Sequence, residues 1–173
     1  MNKPAIPNIT KEEILELMEY VPSLGLVWKV NRKGKTTPGT LVGGRTPRSH
    51  IRLNGVRVLV HHIVWFLHKG YWPSSRNEWI DHRDGNELNR TIDNLRSSTP
   101  SQNNANRSSS NNLGKGVNLD PNNSYRAHIQ FKGTRYYLGT YETVQEAAAA
   151  YKGASIILHG EYSVFRRSEK EHP

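Results

Sequence analysis

The pattern of apolar residues changes from helical to alternating spacing within the first thirty residues. Thr10 opens a capping box with Glu13, and the apolar positions behind it recur at i, i+3, i+4 and i+7: Ile14, Leu17, Met18 and Val21. This spacing predicts an amphipathic helix over residues 11–20. In residues 26–30 apolar and polar side chains do not alternate strictly, but most of the residues are apolar, which predicts a strand.

A hairpin and a second helix are predicted next. Residues 50–53 and 56–60 flank Asn54-Gly55, the pair that supplies the two positive φ angles of a type I′ turn. In such a hairpin Arg52 and Arg57 share a face. Residues 61–69 then predict a helix that ends at Gly70.

The middle of the chain is predicted to form a strand from residue 78, a turn region, a short strand over 95–97 and a helix. Thr99 is the N-cap of that helix, Pro100 its first residue, and Gln102 completes a capping box. Residues 104–112 have no apolar periodicity, which predicts a linker and a domain boundary.

Beyond the linker, residues 115–119, 125–131 and 134–140 predict three strands, the last two joined at Lys132-Gly133. Thr143 and Glu146 cap a final helix, which ends at His159-Gly160. One face of this helix is small and apolar, which favours close packing on the sheet: Ala147, Ala150, Tyr151, Ala154 and Leu158.

Charge adds a candidate partner. The 173 residues carry a formal net charge of +9, distributed as −2 over 1–22, +9 over 23–80, zero over 81–112 and +2 over 113–173. A concentration of basic residues in one stretch indicates a polyanionic partner, and nucleic acid is the first candidate. A solvated basic face is the alternative.

Cysteine count and hydropathy exclude several classes. The chain has no cysteine, which excludes disulfides, thiol nucleophiles and Cys-ligated metal sites. No apolar run approaches the roughly 20 residues of a membrane span, and the N-terminus does not resemble a signal peptide. We therefore expect an intracellular, cytoplasmic protein with no membrane partner.

The residues most suited to chemistry are Asp81, His82, Asn94 and Asn103. Phosphodiester hydrolysis needs a general base, a cation and a group that fixes the tautomer of the base, and this set supplies them. A carboxylate and an amide oxygen favour one Mg²⁺ or Mn²⁺ ion per site. The alternative is structural, because Asp84-Gly85-Asn86 is a common turn sequence.

Three segments resemble the HNH endonucleases, in particular the phage and intron-borne homing and nicking branch. They are VHHIVW over 60–65, WIDHRDGNELNRTIDNLR over 79–96 and STPSQN over 98–103. The resemblance implies a ββα-metal fold in which His82 is the general base, Asn94 orients it, and Asp81 with Asn103 holds one divalent cation. It also marks His61 as a DNA contact, and leaves His50 and His62 without a role.

Residues 114–165 resemble the ethylene-response-factor (ERF) type of DNA-binding domain. The resemblance rests on GV at 116–117, YRAHI at 125–129, RYYLGTY at 135–141 and EAA at 146–148. It implies that the sheet enters the major groove through a set of polar and aromatic residues: Arg126, His128, Gln130, Arg135, Tyr137 and Thr140. Tyr151 on the helix is implied to reach a phosphate.

The sequence as a whole predicts an α+β protein. It comprises a nuclease domain over 1–103, a linker over 104–113, an ERF-like domain over 114–165 and a tail over 166–173. We expect a metal-dependent endonuclease that nicks one strand of double-stranded DNA, with Arg52, Arg57 and the linker residue Arg107 as further DNA contacts. A non-catalytic DNA-binding regulator is the alternative. The sequence does not determine the oligomeric state, although a monomer is favoured, and a phage-encoded protein would act in a bacterial host.

Overall fold

The computed structural model describes residues 6–32, 36–73 and 78–167, which form two compact units that divide between Ser98 and Thr99. The elements of unit 1 are α1 (Lys11–Leu17), β1 (Met18–Val21), β2 (Gly25–Trp28), β3 (His50–Leu53), β4 (Val56–Leu59), α2 (Val60–Lys69), β5 (Trp79–His82) and β6 (Leu95–Ser98). Those of unit 2 are α3 (Pro100–Asn106), β7 (Val117–Leu119), β8 (Tyr125–Phe131), β9 (Thr134–Tyr141) and α4 (Val144–His159). The mixture of helices and small antiparallel sheets confirms the α+β prediction.

The first helix is shorter than its apolar spacing predicts. The capping box at Thr10 forms as expected, but α1 ends at Leu17. The next four residues form β1, which pairs antiparallel with β2 from Met18↔Trp28 to Val21↔Gly25. Pairing with a later segment therefore replaces the last predicted turn of helix.

The predicted hairpin forms around Asn54 and Gly55, whose φ angles are 45° and 82°. The register places Arg52 directly opposite Arg57, so the two share a face as predicted. The strand β4 leads directly into α2, which ends at Gly70 in a left-handed conformation with φ 79°. The buried apolar face of α2, which includes Ile63, packs in the core of unit 1 with side chains from α1, β2, β5 and β6: Ile14, Leu26, Ile80 and Leu95.

The helix α3 corrects the predicted domain boundary. Its capping box forms between Thr99 and Gln102, but it continues to Asn106, into the segment predicted as linker. The Lys115 ammonium donates to the carbonyls of Asn104, Ala105 and Arg107 at 2.6, 2.9 and 2.6 Å. These contacts attach the end of α3 to the C-terminal module, so the unit begins at Thr99 rather than at residue 114.

In unit 2, the three strands form one antiparallel sheet in the order β7-β8-β9, with α4 packed on one face. Val117, Ala127 and Ala147 are the centre of its core. A Cβ on Gly116 would lie 2.2 Å from the Tyr151 ring and 2.4 Å from the His128 carbonyl oxygen, so only glycine fits there. Within the described ranges, no helix has the length and hydropathy of a membrane span. Of the predicted tail, residues 168–173 lie outside the described residues.

Candidate active site

Asp81 and His82 are the last two residues of β5, whose partner strand is β6. The register pairs Asp81 with Arg96 and His82 with Leu95. Both side chains are buried, with 5% exposure for Asp81 and 6% for His82. The ribbon therefore presents a carboxylate and an imidazole at the point where the chain leaves the strand and enters the 83–94 loop.

Arg96 forms a buried ion pair with Asp81. Its Nε and Nη2 atoms both lie 2.8 Å from Asp81 Oδ2. A guanidinium held this way compensates the charge of the carboxylate and fixes its orientation, because a buried charge is tolerated only when it is paired. The sequence interpretation did not single out Arg96, because it predicted the two strands without their pairing, and the register that places Arg96 opposite Asp81 is given by the structure.

Asn94 closes the loop that follows His82. Its backbone carbonyl accepts from Arg83 N–H at 2.8 Å. Its side-chain Oδ1 accepts from Asp84 N–H at 3.0 Å, while Nδ2 donates to Asp84 Oδ1 at 2.9 Å and to the Asn89 carbonyl at 2.7 Å. Asn94 thus joins the two ends of the loop immediately beside His82, which is consistent with a positioning role acting through the backbone.

Two histidines from the start of α2 lie near His82: His61 packs on the His82 ring, and His62 packs on His61. The His61 ring is 4.9 Å from the His82 ring and 4.7 Å from the His62 ring, in edge-to-face arrangements. Burial, and then the neighbouring His62 and His82, lowers the pKa of His61 well below its ordinary value. Burial followed by His50 and His82 lowers the pKa of His62 to about 4. These imidazoles are therefore neutral near pH 7.

His82 is neutral for a related reason. Burial lowers its pKa from the ordinary 6.5, and the nearby carboxylates Asp81, Glu87 and Asp84 oppose that shift without reversing it. A neutral imidazole has one ring nitrogen that accepts a proton. At neutral pH, His82 is consequently in the form that a general base requires.

The donor set fits a hard divalent cation. A carboxylate can accept from a guanidinium through one oxygen and bind a cation through the other, so the Arg96 pairing is compatible with a ligand role for Asp81. Asn103, the amide ligand that the resemblance implies, lies on α3 in unit 2. Within the described part of the chain, no group of three or more His, Asp or Glu side chains is placed to hold a metal. Water and phosphate oxygens would therefore complete the coordination.

The hairpin of unit 1 forms one wall of a groove of about 640 Å³, which is lined by Arg48, His50, Arg52 and Arg57 among others. The Arg57 guanidinium lies 3.4 Å from His50 Nδ1. His50 and His62, which the sequence interpretation left without a role, are linked electrostatically, because a charge on His50 lowers the pKa of His62. In the sequence, only the spacing between His50 and the neighbouring His61 and His62 could have suggested this electrostatic link.

In unit 2, the structure brings six of the predicted DNA contacts onto one face of the sheet. They are directly opposite one another in the register: Arg126↔Thr140, His128↔Tyr137 and Gln130↔Arg135. Opposite residues of an antiparallel pair share a face, and the Tyr137 hydroxyl lies 2.6 Å from the Thr140 hydroxyl. This face is the one turned away from the buried residues Ala127 and Ile129.

Two predicted contacts of unit 2 are differently placed. Tyr151 is only 5% exposed and packs beside Gly116, which argues against the predicted phosphate contact. Burial raises the pKa of its hydroxyl to about 12. Arg107 is exposed and follows α3 directly as its C-cap, instead of lying within a long linker.

Arg126 forms an ion pair with the buried Asp120, which neutralises part of the charge of the sheet face.

Comparison with known proteins points to one family for the central segment. Residues 58–105 match the family model described as HNH endonuclease. The chain is also 38% identical over 108 residues to an uncharacterised HNH endonuclease of Acanthamoeba polyphaga mimivirus, an alignment that covers 62% of this chain and 56% of the relative. The chain thus spans just over half the length of that relative. No solved structure matches the chain significantly. The segment that carries Asp81, His82, Asn94 and Asn103 is similar to the HNH endonucleases.

Proposed function

We propose that the chain is a metal-dependent DNA endonuclease that hydrolyses a phosphodiester bond and nicks one strand of a duplex. The observation that carries the proposal is the buried, neutral His82 at the end of β5, adjacent in sequence to Asp81 and inside the segment similar to HNH endonucleases. A single such site cuts one strand in each encounter.

In this proposal His82 accepts the proton of the attacking water at a ring nitrogen. Asn94 holds the loop beside His82, and His61 packs against the His82 ring and restricts its orientation. Asp81 would be a ligand of one Mg²⁺ or Mn²⁺ ion, which when bound supplies charge stabilisation for the phosphate and the leaving oxygen. Asn103 is proposed as a second ligand on the family resemblance alone. Arg96 orients the Asp81 carboxylate for that role.

We further propose that the outer sheet face of unit 2 docks on duplex DNA in the ERF-like manner. Its support is the shared face of Arg126, His128, Gln130, Arg135, Tyr137 and Thr140, which offers cations, amides and an aromatic ring to a groove. The proposal omits Tyr151.

The test is nicking of supercoiled plasmid by the wild type and by His82→Ala, each with Mg²⁺ and with EDTA. We expect metal-dependent conversion to open circles by the wild type, and at least a hundredfold slower conversion by His82→Ala, in line with loss of a general base. His68→Gln, an exposed histidine of α2, is the matched control. Equal nicking by the His82 variant would overturn the assignment, and DNA binding without nicking by the wild type would favour a non-catalytic regulator.

A further inference from the structure

The groove of unit 1 is strongly and uniformly basic. Three arginines and one histidine line it, and none of its lining residues is acidic. Arg48 forms an ion pair with Glu87 at 2.9 Å across exposed surface, a contact of little strength in water. Arg52 and Arg57, both exposed, are directly opposite each other in the hairpin. Like charges in that relation oppose folding, so a bound anion would relieve a cost built into the hairpin.

The loop that forms the other wall of the groove is fixed from the interior. The buried Arg90 guanidinium donates to the carbonyls of Gly44 and Thr46 at 3.0 and 2.6 Å, and to Ser49 Oγ at 3.1 Å. Ser49 Oγ in turn donates to the Gly43 carbonyl at 2.6 Å. Arg48 within this loop has a φ of 50°, a left-handed conformation that costs a non-glycine residue free energy. The groove is therefore shaped before any ligand arrives.

The same contacts connect the groove with the candidate active site. Arg90 follows Asn89, whose carbonyl accepts from Asn94 Nδ2 at 2.7 Å. His50 lines the groove, and its charge acts on His62 and on His61, whose ring packs against that of His82. A polyanion that lies in the groove consequently passes close to the imidazole cluster.

We propose that this groove binds the sugar-phosphate backbone of duplex DNA at phosphates next to the one that is cut, through Arg52 and Arg57 with Arg48 and His50 beside them. Binding in the groove rests on the proposed function only in taking DNA as the ligand, whereas the position of these phosphates beside the cut rests on the endonuclease activity as well. The proposal assigns these guanidinium groups to phosphate oxygens, contacts that carry no sequence information, so their contribution is independent of DNA sequence.

The test compares two double variants with the same change in charge. Arg52→Gln with Arg57→Gln removes the groove pair, and Lys11→Gln with Lys69→Gln removes two cations of unit 1 outside the groove. Affinity for a 5′-fluorescein-labelled DNA duplex of about two helical turns is measured by anisotropy in EDTA at several salt concentrations, so that binding is observed without cleavage. Two unrelated duplex sequences are used.

We expect the groove variant to bind both duplexes at least about tenfold more weakly at low salt and to reduce the slope of log K against log salt by about 2, since each lost phosphate contact removes about 0.9 from the slope. The control variant should keep the wild-type slope, and Arg52→Lys with Arg57→Lys should restore it. A groove variant with the affinity and slope of the control would overturn the proposal, as would a loss limited to one duplex.

The two proposals fail separately. If the wild type does not nick plasmid in Mg²⁺ but the groove variant loses affinity as expected, the groove stands and the endonuclease proposal falls. If the wild type nicks through His82 and the groove variant binds like the control, the reverse holds. Circular dichroism of each variant at 25 °C verifies that the exposed substitutions leave the fold intact.

Discussion

Asp81 and Arg96 face each other across the β5–β6 ribbon as an ion pair in which both residues are 5% exposed. Removing one member of a buried pair leaves the other charge without compensation. We therefore expect Arg96→Met to destabilise unit 1 by about 3 kcal/mol or more, measured as the free energy of unfolding in urea.

The double variant Asp81→Asn with Arg96→Met provides the control for that prediction. It removes both charges, so it should recover a large part of the stability that Arg96→Met loses, and a double-mutant cycle then gives the coupling energy. Additive effects of the two substitutions would show that the pair is not coupled.

Asn94 offers a second prediction. Asn94→Ala deletes hydrogen bonds to Asp84 and Asn89 inside a half-buried loop, so we expect a loss of about 1–3 kcal/mol in unfolding free energy. Nicking should slow as well, because the loop adjoins His82. Asn89→Ala, which removes a side chain of the same loop without touching the Asn94 amide directly, should slow nicking less. Stability unchanged in Asn94→Ala would contradict the positioning role.

The stability of unit 1 should depend on pH through His62. Its pKa is about 4 in the folded chain against the ordinary 6.5. Above pH 6.5 the His62 imidazole is neutral in both the folded and the unfolded chain, so its titration does not reduce the free energy of unfolding. As the pH falls towards 4 the unfolded chain takes up a proton that the folded imidazole does not, so stability is lost. At about 1.4 kcal/mol per pKa unit, the loss sums to about 3 kcal/mol.

Urea unfolding of the wild type and of His62→Gln between pH 7 and pH 4 measures this dependence. Glutamine takes up no proton, so the difference in unfolding free energy between the two proteins should shift towards the variant as the pH falls. A difference that stays constant over that interval would refute the prediction.

We expect Lys115 to stabilise the C-terminal end of α3. Its ammonium donates to the carbonyls of Asn104, Ala105 and Arg107, where the chain leaves the helix and backbone donors run out. Lys115→Met should therefore lower the unfolding free energy of unit 2 by about 2 kcal/mol. Lys152→Met, at an exposed position of α4, is the matched control and should change it little. Equal effects of the two substitutions would exclude the special role of Lys115.

Arg135 tests the docking face of unit 2. It is exposed on β9 opposite Gln130, and Arg135→Ala should weaken duplex binding in EDTA by roughly tenfold, or about 1.4 kcal/mol. Nicking by a saturated complex should change less than affinity does. Lys152→Ala removes a cation of the same unit from α4 and should bind like the wild type. If both variants bind equally, the sheet face is not the docking surface.

Local signals in the sequence predicted a large part of the fold. The capping boxes at Thr10, Thr99 and Thr143 form as expected, and the Asn54-Gly55 turn fixes the register of its hairpin. Each of these depends on residues close together in the chain. In contrast, β1 exists because Met18–Val21 pairs with β2, a contact that helical periodicity in one segment cannot reveal.

The candidate site was predicted in its residues but not in its supporting contacts. The motif identified Asp81 and His82. The ion pair between Asp81 and Arg96, and the electrostatic effect of His50 on His62, depend on the folded arrangement. Tyr151 shows the opposite case. Its place in the apolar stripe of α4 correctly predicted burial, while the role carried over from the family resemblance did not fit that position. The domain boundary was missed because Lys115 contacts α3 from beyond the predicted linker.

The shape and the charge of the groove of unit 1 depend on different residues, and Arg90 contributes to the shape. Two buried side chains, Arg90 and Ser49, hold the carbonyls of the 42–46 loop. The exposed Arg52 and Arg57 contact Gly55 and His50 instead. Exchanges at Arg52 or Arg57 can therefore alter how strongly the surface attracts a polyanion without remodelling its shape. Selection on the shape of the groove acts on Arg90, whereas selection on its charge acts on Arg52 and Arg57, so the two properties can evolve independently.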